Sequence, residues 1–133
     1  MLARGRKMPP LRVDPEKHAA RPLVLELGAL LAGDIAWEPF REGVDIFRLY
    51  GAAGDAPAAA LLRYAPNAHV PFHEHDGYEH VFVLSGSQED DRGTYAAGTL
   101  VVNPPGSRHS VRSPGGCMVL VLWERPVLVL DGA

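Results

Sequence analysis

A single cysteine, Cys117, stands among 133 residues, which excludes an internal disulfide and any Cys-x-x-Cys zinc or redox site. Nothing beside it in the sequence would depress its pKa, so it reads as a small buried apolar residue. A net excess of positive charge is also lacking. The formal net charge is −3, which gives no general field for nucleic acid or an anionic membrane. Long apolar runs are missing too: the longest, over residues 117–123, is far too short to cross a bilayer. The N-terminus is basic but has no apolar stretch of the kind a secretory signal carries. No Pro/Ser-rich or low-complexity linker interrupts the middle, so one domain is expected. Together these absences predict a cytoplasmic protein with neither a nucleic-acid nor a membrane partner.

What is present describes a globular chain rich in turns. Apolar residues make up 47% and charged residues 22%, with 12 Pro and 14 Gly distributed throughout, a punctuation that favours short strands. The first 21 residues carry Arg4, Arg6, Lys7, Arg12, Lys17 and Arg21 against Asp14 and Glu16. Pro9, Pro10, Pro15 and Pro22 forbid a long helix there. Residues 1–22 are therefore read as an extended, solvated N-terminal arm, and residues 23–133 as the domain. Residues 22–33 fit either a short helix or a buried strand, because periodicity does not separate the two. From residue 44 onward the signal is β throughout: 44–50, 58–64, 70–75, 78–85, 93–95, 99–102, 110–112, 118–123 and 127–130. Short strands with no helical pattern between them predict an all-β, antiparallel sandwich or barrel, with a jelly roll as the leading form.

The stretch His73-Glu74-His75-Asp76-Gly77-Tyr78-Glu79 carries the chemistry. Histidines at i and i+2 of a strand share one face and can share one metal ion. Asp76-Gly77 has the chemistry of a reversing turn, so Glu79 on the next strand can return its carboxylate to that face. His109 follows the tight run Asn103-Pro104-Pro105-Gly106-Ser107-Arg108 and is the candidate fourth donor. Parity then sends Val81, Val83 and Ser85 inward with Glu79, and His80, Phe82 and Leu84 outward. His80 is accordingly excluded as a ligand. His69 shares the parity of His73 but lies near the strand's start and is read as a rim or surface residue, and His18 as part of the arm. Glu89-Asp90-Asp91 reads as a solvated hairpin tip rather than a second cation site. Arg63, Tyr64, Arg108 and Arg112 are candidate pocket residues whose direction parity leaves open. The outward stripe of His80, Phe82 and Leu84 predicts a covered face, by the arm or by a second copy in a homodimer.

These residues resemble the cupin superfamily. Its first motif, HxHx(3 or 4)Ex6G, appears as His73, His75, Glu79 and Gly86, with Asn67 where a leading Gly is usual. Its second, Gx5PxGx2Hx3N, appears as Gly98, Pro104, Gly106 and His109, with Ser113 in place of Asn. The segments HEHDGYEHVFVLSGS, DDRGTYAAGTLVVNPPGSRHSV and GGCMVLVLW are similar to the cupin domain of ChrR-type anti-sigma factors and their free-standing relatives, over residues 37–124. The resemblance implies a jelly-roll barrel and one divalent metal ion held by His73, His75, Glu79 and His109. Zinc is favoured, with iron, nickel or manganese as alternatives. For function it implies a binding protein responsive to a small molecule or an oxidant, or alternatively an iron dioxygenase acting on a small carbonyl or phenolic substrate. The helical module by which ChrR-type proteins hold a sigma factor has no counterpart in the sequence, so that activity is not expected.

Overall fold

In a computed structural model, period-two alternation of buried and exposed residues marks β-strands such as 108–113 and the first part of 79–90, while 58–64 and 117–123 are buried almost continuously. The structure describes residues 21–32, 35–52 and 54–130; most of the predicted arm, His18 included, lies outside the described residues. Two compact units divide at Ala36 and Trp37. In the first, the ambiguous segment contains a short helix, α1 (Leu27–Ala32), opened by the Leu30 N–H donating to the Glu26 carbonyl at 3.0 Å.

The second unit is an antiparallel jelly roll. Among the described residues its strands are β1 (Glu38–Arg41), β2 (Val44–Tyr50), β3 (Ala58–Tyr64), β4 (Ala68–His75), β5 (Glu79–Asp90), β6 (Gly93–Ala96), β7 (Leu100–Asn103), β8 (Arg108–Ser113), β9 (Cys117–Trp123) and β10 (Val127–Val129). The pairing order is β1-β2-β3-β9-β5-β8-β4-β10, with β6 and β7 also on β5. β1 escaped the sequence reading because Pro39 interrupts a very short run, although Glu42-Gly43 behind it is a hairpin turn.

β5 connects the two sheets. Residues 79–86 pair with β9 on one side, and residues 79–82 with β7 on the other, whereas residues 87–90 pair with β6, and Glu89 with Arg112 of β8. The change of sheet occurs at a bulge between Val83 and Ser85 and at Gly86, whose φ is +71°. A side chain at residue 86 would come within 2.2 Å of the Gly116 carbonyl oxygen, so this corner requires glycine on grounds of both conformation and space. Asn67, standing where the motif usually has Gly, adopts a φ of +66°, which Asn tolerates better than most residues.

Between the sheets lies a core that includes Val44, Ile46, Leu62, Val81, Val83, Val119 and Val121. Each such side chain contributes roughly 1.5–3 kcal/mol by leaving water. Cys117 is buried with them, and burial pushes its thiol pKa up against the opposing pull of Ser113. It is packing, as the sequence predicted.

Candidate metal centre

The site sits at one end of this core, and bulges decide which side chains reach it. On β8 alternation is unbroken, so His109, Val111 and Ser113 all point inward. On β4 the register slips against β8 between Val70 and His73, where Pro71 cannot donate to the ladder. Ala68 and Val70 are inside before the slip, and His73 and His75 after it. His69 and His73 therefore do not share a face despite their spacing: His69 is exposed. The bulge in β5 acts likewise. Glu79, Val81 and Val83 are buried before it, as parity predicts, but Gln88 is the buried residue after it, so the inward series does not continue through Ser85.

Three imidazoles meet as a result. The ligating atoms of His73, His75 and His109 lie within 4.8 Å of one another, and all three residues are buried. The Nδ1 atom of each ring is engaged by the protein. His73 Nδ1 donates to the Pro71 carbonyl at 2.7 Å. His75 Nδ1 bonds the Ser107 carbonyl at 3.0 Å and its Oγ at 2.8 Å. His109 Nδ1 donates to Asp90 Oδ2 at 2.9 Å. Carbonyl and carboxylate oxygens only accept, so these contacts place the proton on Nδ1 and leave Nε2 as a lone pair. The Nε2 atoms of His75 and His109 are buried and, among the described residues, have no hydrogen-bond partner. An unpartnered buried nitrogen is costly. Two of them converging is the arrangement a metal ion resolves.

Glu79 stands on the opposite sheet, its Oε1 3.2 Å from His75 Nε2. With the His75 proton on Nδ1, neither atom has a proton to share, so this approach is not a hydrogen bond in the neutral ring. Asn103 Nδ2 donates to Glu79 Oε1 at 3.1 Å and Trp123 Nε1 to Oε2 at 2.8 Å, which hold the carboxylate in place and leave it lone pairs. Burial would raise the Glu79 carboxyl pKa, but contacts with His75, His73 and Trp123 outweigh it and set it below the usual carboxylate range. Burial lowers the His73 pKa, against the Pro71 carbonyl and the Glu79 charge, which raise it. Both shifts favour the deprotonated forms that a metal requires.

Asp90 departs from the sequence reading. Far from being solvated, its carboxyl is 2% exposed and accepts from His109, the Tyr95 hydroxyl at 2.9 Å and the Arg92 N–H at 2.9 Å. Burial works against its ionisation, but these bonds overcome that and lower its pKa. The cause of the misreading is the β5 bulge, which turns one residue of an acidic hairpin inward. Glu89 instead pairs with Arg112, Arg108 with Glu74, and Arg63 with Asp45, the arginines exposed and the carboxylates of Glu74 and Glu89 partly buried. Of the four candidate pocket residues, Tyr64 alone lines the cavity at the site. Arg41 lines it too, and no sequence signal marked it, because β1 itself went unrecognised.

The fold and the clustered histidines define a cupin. The model of the ChrR cupin-like domain matches residues 29–126, and the chain belongs to that family. Solved structures similar to it include the Rhodobacter sphaeroides complex of SigE with the anti-sigma ChrR, at 25% identity over 68% of this chain and 49% of that one, with a TM-score of 0.60. A Ralstonia eutropha JMP134 protein of unknown function with a cupin-like fold matches at 23% identity over 80% and 65%, with a TM-score of 0.62. An acetylacetone dioxygenase from Acinetobacter johnsonii matches at 18% over 72% of each chain, with a TM-score of 0.66. The last two are likenesses of fold. The chain spans about two-thirds of the Ralstonia protein and half of the chain matched in the SigE–ChrR complex. No curated protein matches it. Among the described residues, no helix is long and apolar enough to cross a membrane.

Proposed function

We propose that the protein binds one divalent metal ion through His73, His75, Glu79 and His109, and that the loaded cupin is a cytoplasmic binding protein responsive to a small molecule or an oxidant. The observation that carries this reading is the set of engaged Nδ1 atoms behind the unpartnered Nε2 atoms of His75 and His109. Carbonyls, hydroxyls and carboxylates behind metal-binding imidazoles are what such sites use to orient their ligands. Zinc is the favoured ion, with iron, nickel or manganese as alternatives that a nitrogen-rich set would also accept. Elemental analysis of protein purified without a metal-affinity column is the test. About one zinc per chain is expected, and a metal-free protein that takes up none on dialysis against zinc would overturn the reading.

A dioxygenase is the second reading, favoured by the apolar cavity that adjoins His73, Glu79 and His109. It requires a redox-active ion with an exchangeable position. Iron-loaded protein offered β-diketones and phenols is expected to consume no oxygen above a free-iron control. Robust uptake, abolished in Glu79→Gln at equal iron occupancy, would favour the enzyme instead.

The protein is further read as a homodimer. The support is the outer face of β5, where His80 lies opposite Val102 and Leu122, and Phe82 opposite Leu100 and Leu120; Leu100 is 55% and Val102 46% exposed. Phe82→Asp should move the particle from dimer to monomer mass in size-exclusion light scattering. A wild-type monomer at high micromolar concentration would rule this out.

A further inference from the structure

The metal reading assigns no role to Arg41, yet its position is unusual. It ends β1 beside the metal centre and lines the same cavity as His73, Glu79 and His109, a space of about 50 Å³. Its Nε is buried and, among the described residues, has no hydrogen-bond partner. Its guanidinium stacks over the Phe40 ring, 5.2 Å from the centroid, which fixes its plane without occupying its N–H donors. Among the described residues Arg41 takes part in no ion pair, whereas Arg63, Arg108 and Arg112 are all paired.

A second cavity of about 220 Å³ adjoins the first, and Phe40, Arg41, Trp123 and Val127 line both. Those four residues are shared between the cavity at the histidines and this second one, the vestibule. Three are apolar or aromatic and one is cationic. The vestibule adds Arg48 and one acid, Asp55, whose carboxylate accepts from the Ala52 N–H at 3.2 Å. Among the described residues the one carboxylate lining the inner cavity is Glu79, which already accepts from Asn103 and Trp123. The two cavities together make a largely apolar passage, with an arginine donor unused where their linings meet.

We infer that this passage binds a small organic monoanion, its carboxylate held by Arg41 and its short apolar body against Phe40, Trp123 and Val127. The orphaned Nε supplies the recognition: a buried donor without an acceptor is unfavourable until an acceptor arrives, and a planar guanidinium matches a carboxylate. The narrow apolar walls select against polyanions and sugars. This site deepens the metal reading by naming the class of small molecule, but Arg41 acts on the ligand whether or not an ion is present.

Calorimetric titration with straight-chain monocarboxylates from acetate to hexanoate, each against its primary amide, tests the assignment in zinc-loaded and metal-stripped protein. Each acid should bind at least about tenfold more tightly than its amide, and Arg41→Ala should lose about tenfold in affinity for the acid and little for the amide. Arg41→Lys, which keeps the charge without the fork, should fall between them. Circular dichroism and zinc content confirm that the variants fold and load. Equal binding of acid and amide, or unchanged acid binding in a folded Arg41→Ala, overturns the proposal. Failure of the metal reading appears separately, as absent zinc in a protein that still binds acids through Arg41.

Discussion

Two kinds of charged cluster coexist in this molecule and behave in opposite ways. On the surface, Arg63–Asp45, Arg108–Glu74 and Arg112–Glu89 are complete as they stand, each partner meeting the other in water. In the interior, His73, His75, His109 and Glu79 are held from behind by Pro71, Ser107, Asp90, Asn103 and Trp123, while two of the facing nitrogens remain unmet. The surface pairs close on themselves, and the interior set is closed only by something added. Exposed pairs are worth little in stability; a preorganised interior set places its energy in binding.

Breaking the interior set should have the largest effect. His73→Ala/His75→Ala removes two donors from the same strand, and its metal content should fall to the level of a buffer blank by elemental analysis. The apo double variant should still fold, since the core strands do not depend on either imidazole.

Next in size is Asp90→Asn, which keeps an acceptor shape behind His109 but removes its charge. Metal affinity should fall 10–100-fold, measured by competition with a chromophoric chelator. An unchanged affinity would mean that His109 needs no partner to hold its orientation.

Acidification sharpens the contrast further. In the folded apo protein burial depresses the His73 pKa below its ordinary 6.5, so the folded chain resists a proton that the unfolded chain accepts. Stability is therefore fully present above that ordinary value and is lost as pH falls through it toward the folded-state value. Glu79 and Asp90 have the same sign at lower pH, because their folded pKa values are also depressed. Thermal midpoints should fall from pH 7 to pH 5, more steeply for wild type than for His73→Ala. The smallest effect is expected at the surface: Arg108→Ala breaks a pair whose arginine side chain is 57% exposed, and should cost under about 1 kcal/mol by urea unfolding.

The two halves of β5 explain how much of this was legible beforehand. Up to Val83 the strand obeys period two, and with Glu79 returned inward by the Asp76-Gly77 turn that rule places Val81 and Val83 inward and excludes His80. Beyond the bulge the rule inverts, and Asp90 was misjudged. Gly86 inside a strand pattern is a local mark of a bulge, but it does not say which residues turn inward after it; that is decided by the crowding of Gly86 against Gly116 and Cys117, a contact between distant segments. Arg41, Asn103 and Trp123 were missed for the same reason. Their importance lies in what stands opposite them, and the sequence orders residues along the chain rather than across the barrel.

The contacts of His75 also bear on how the protein comes to be folded. Its N–H donates to the Ser107 carbonyl at 2.9 Å, the Gly106 N–H donates back to its carbonyl at 2.8 Å, and its ring bonds Ser107, 32 residues away. A donor set assembled across such a span exists only after that long loop has closed, and pairing of this kind is a slow, late event. An ion that recognises only the closed arrangement has nothing to bind beforehand. Metal should therefore leave the refolding rate unchanged and slow unfolding, making the ion a latch on the finished barrel rather than a nucleus for its assembly.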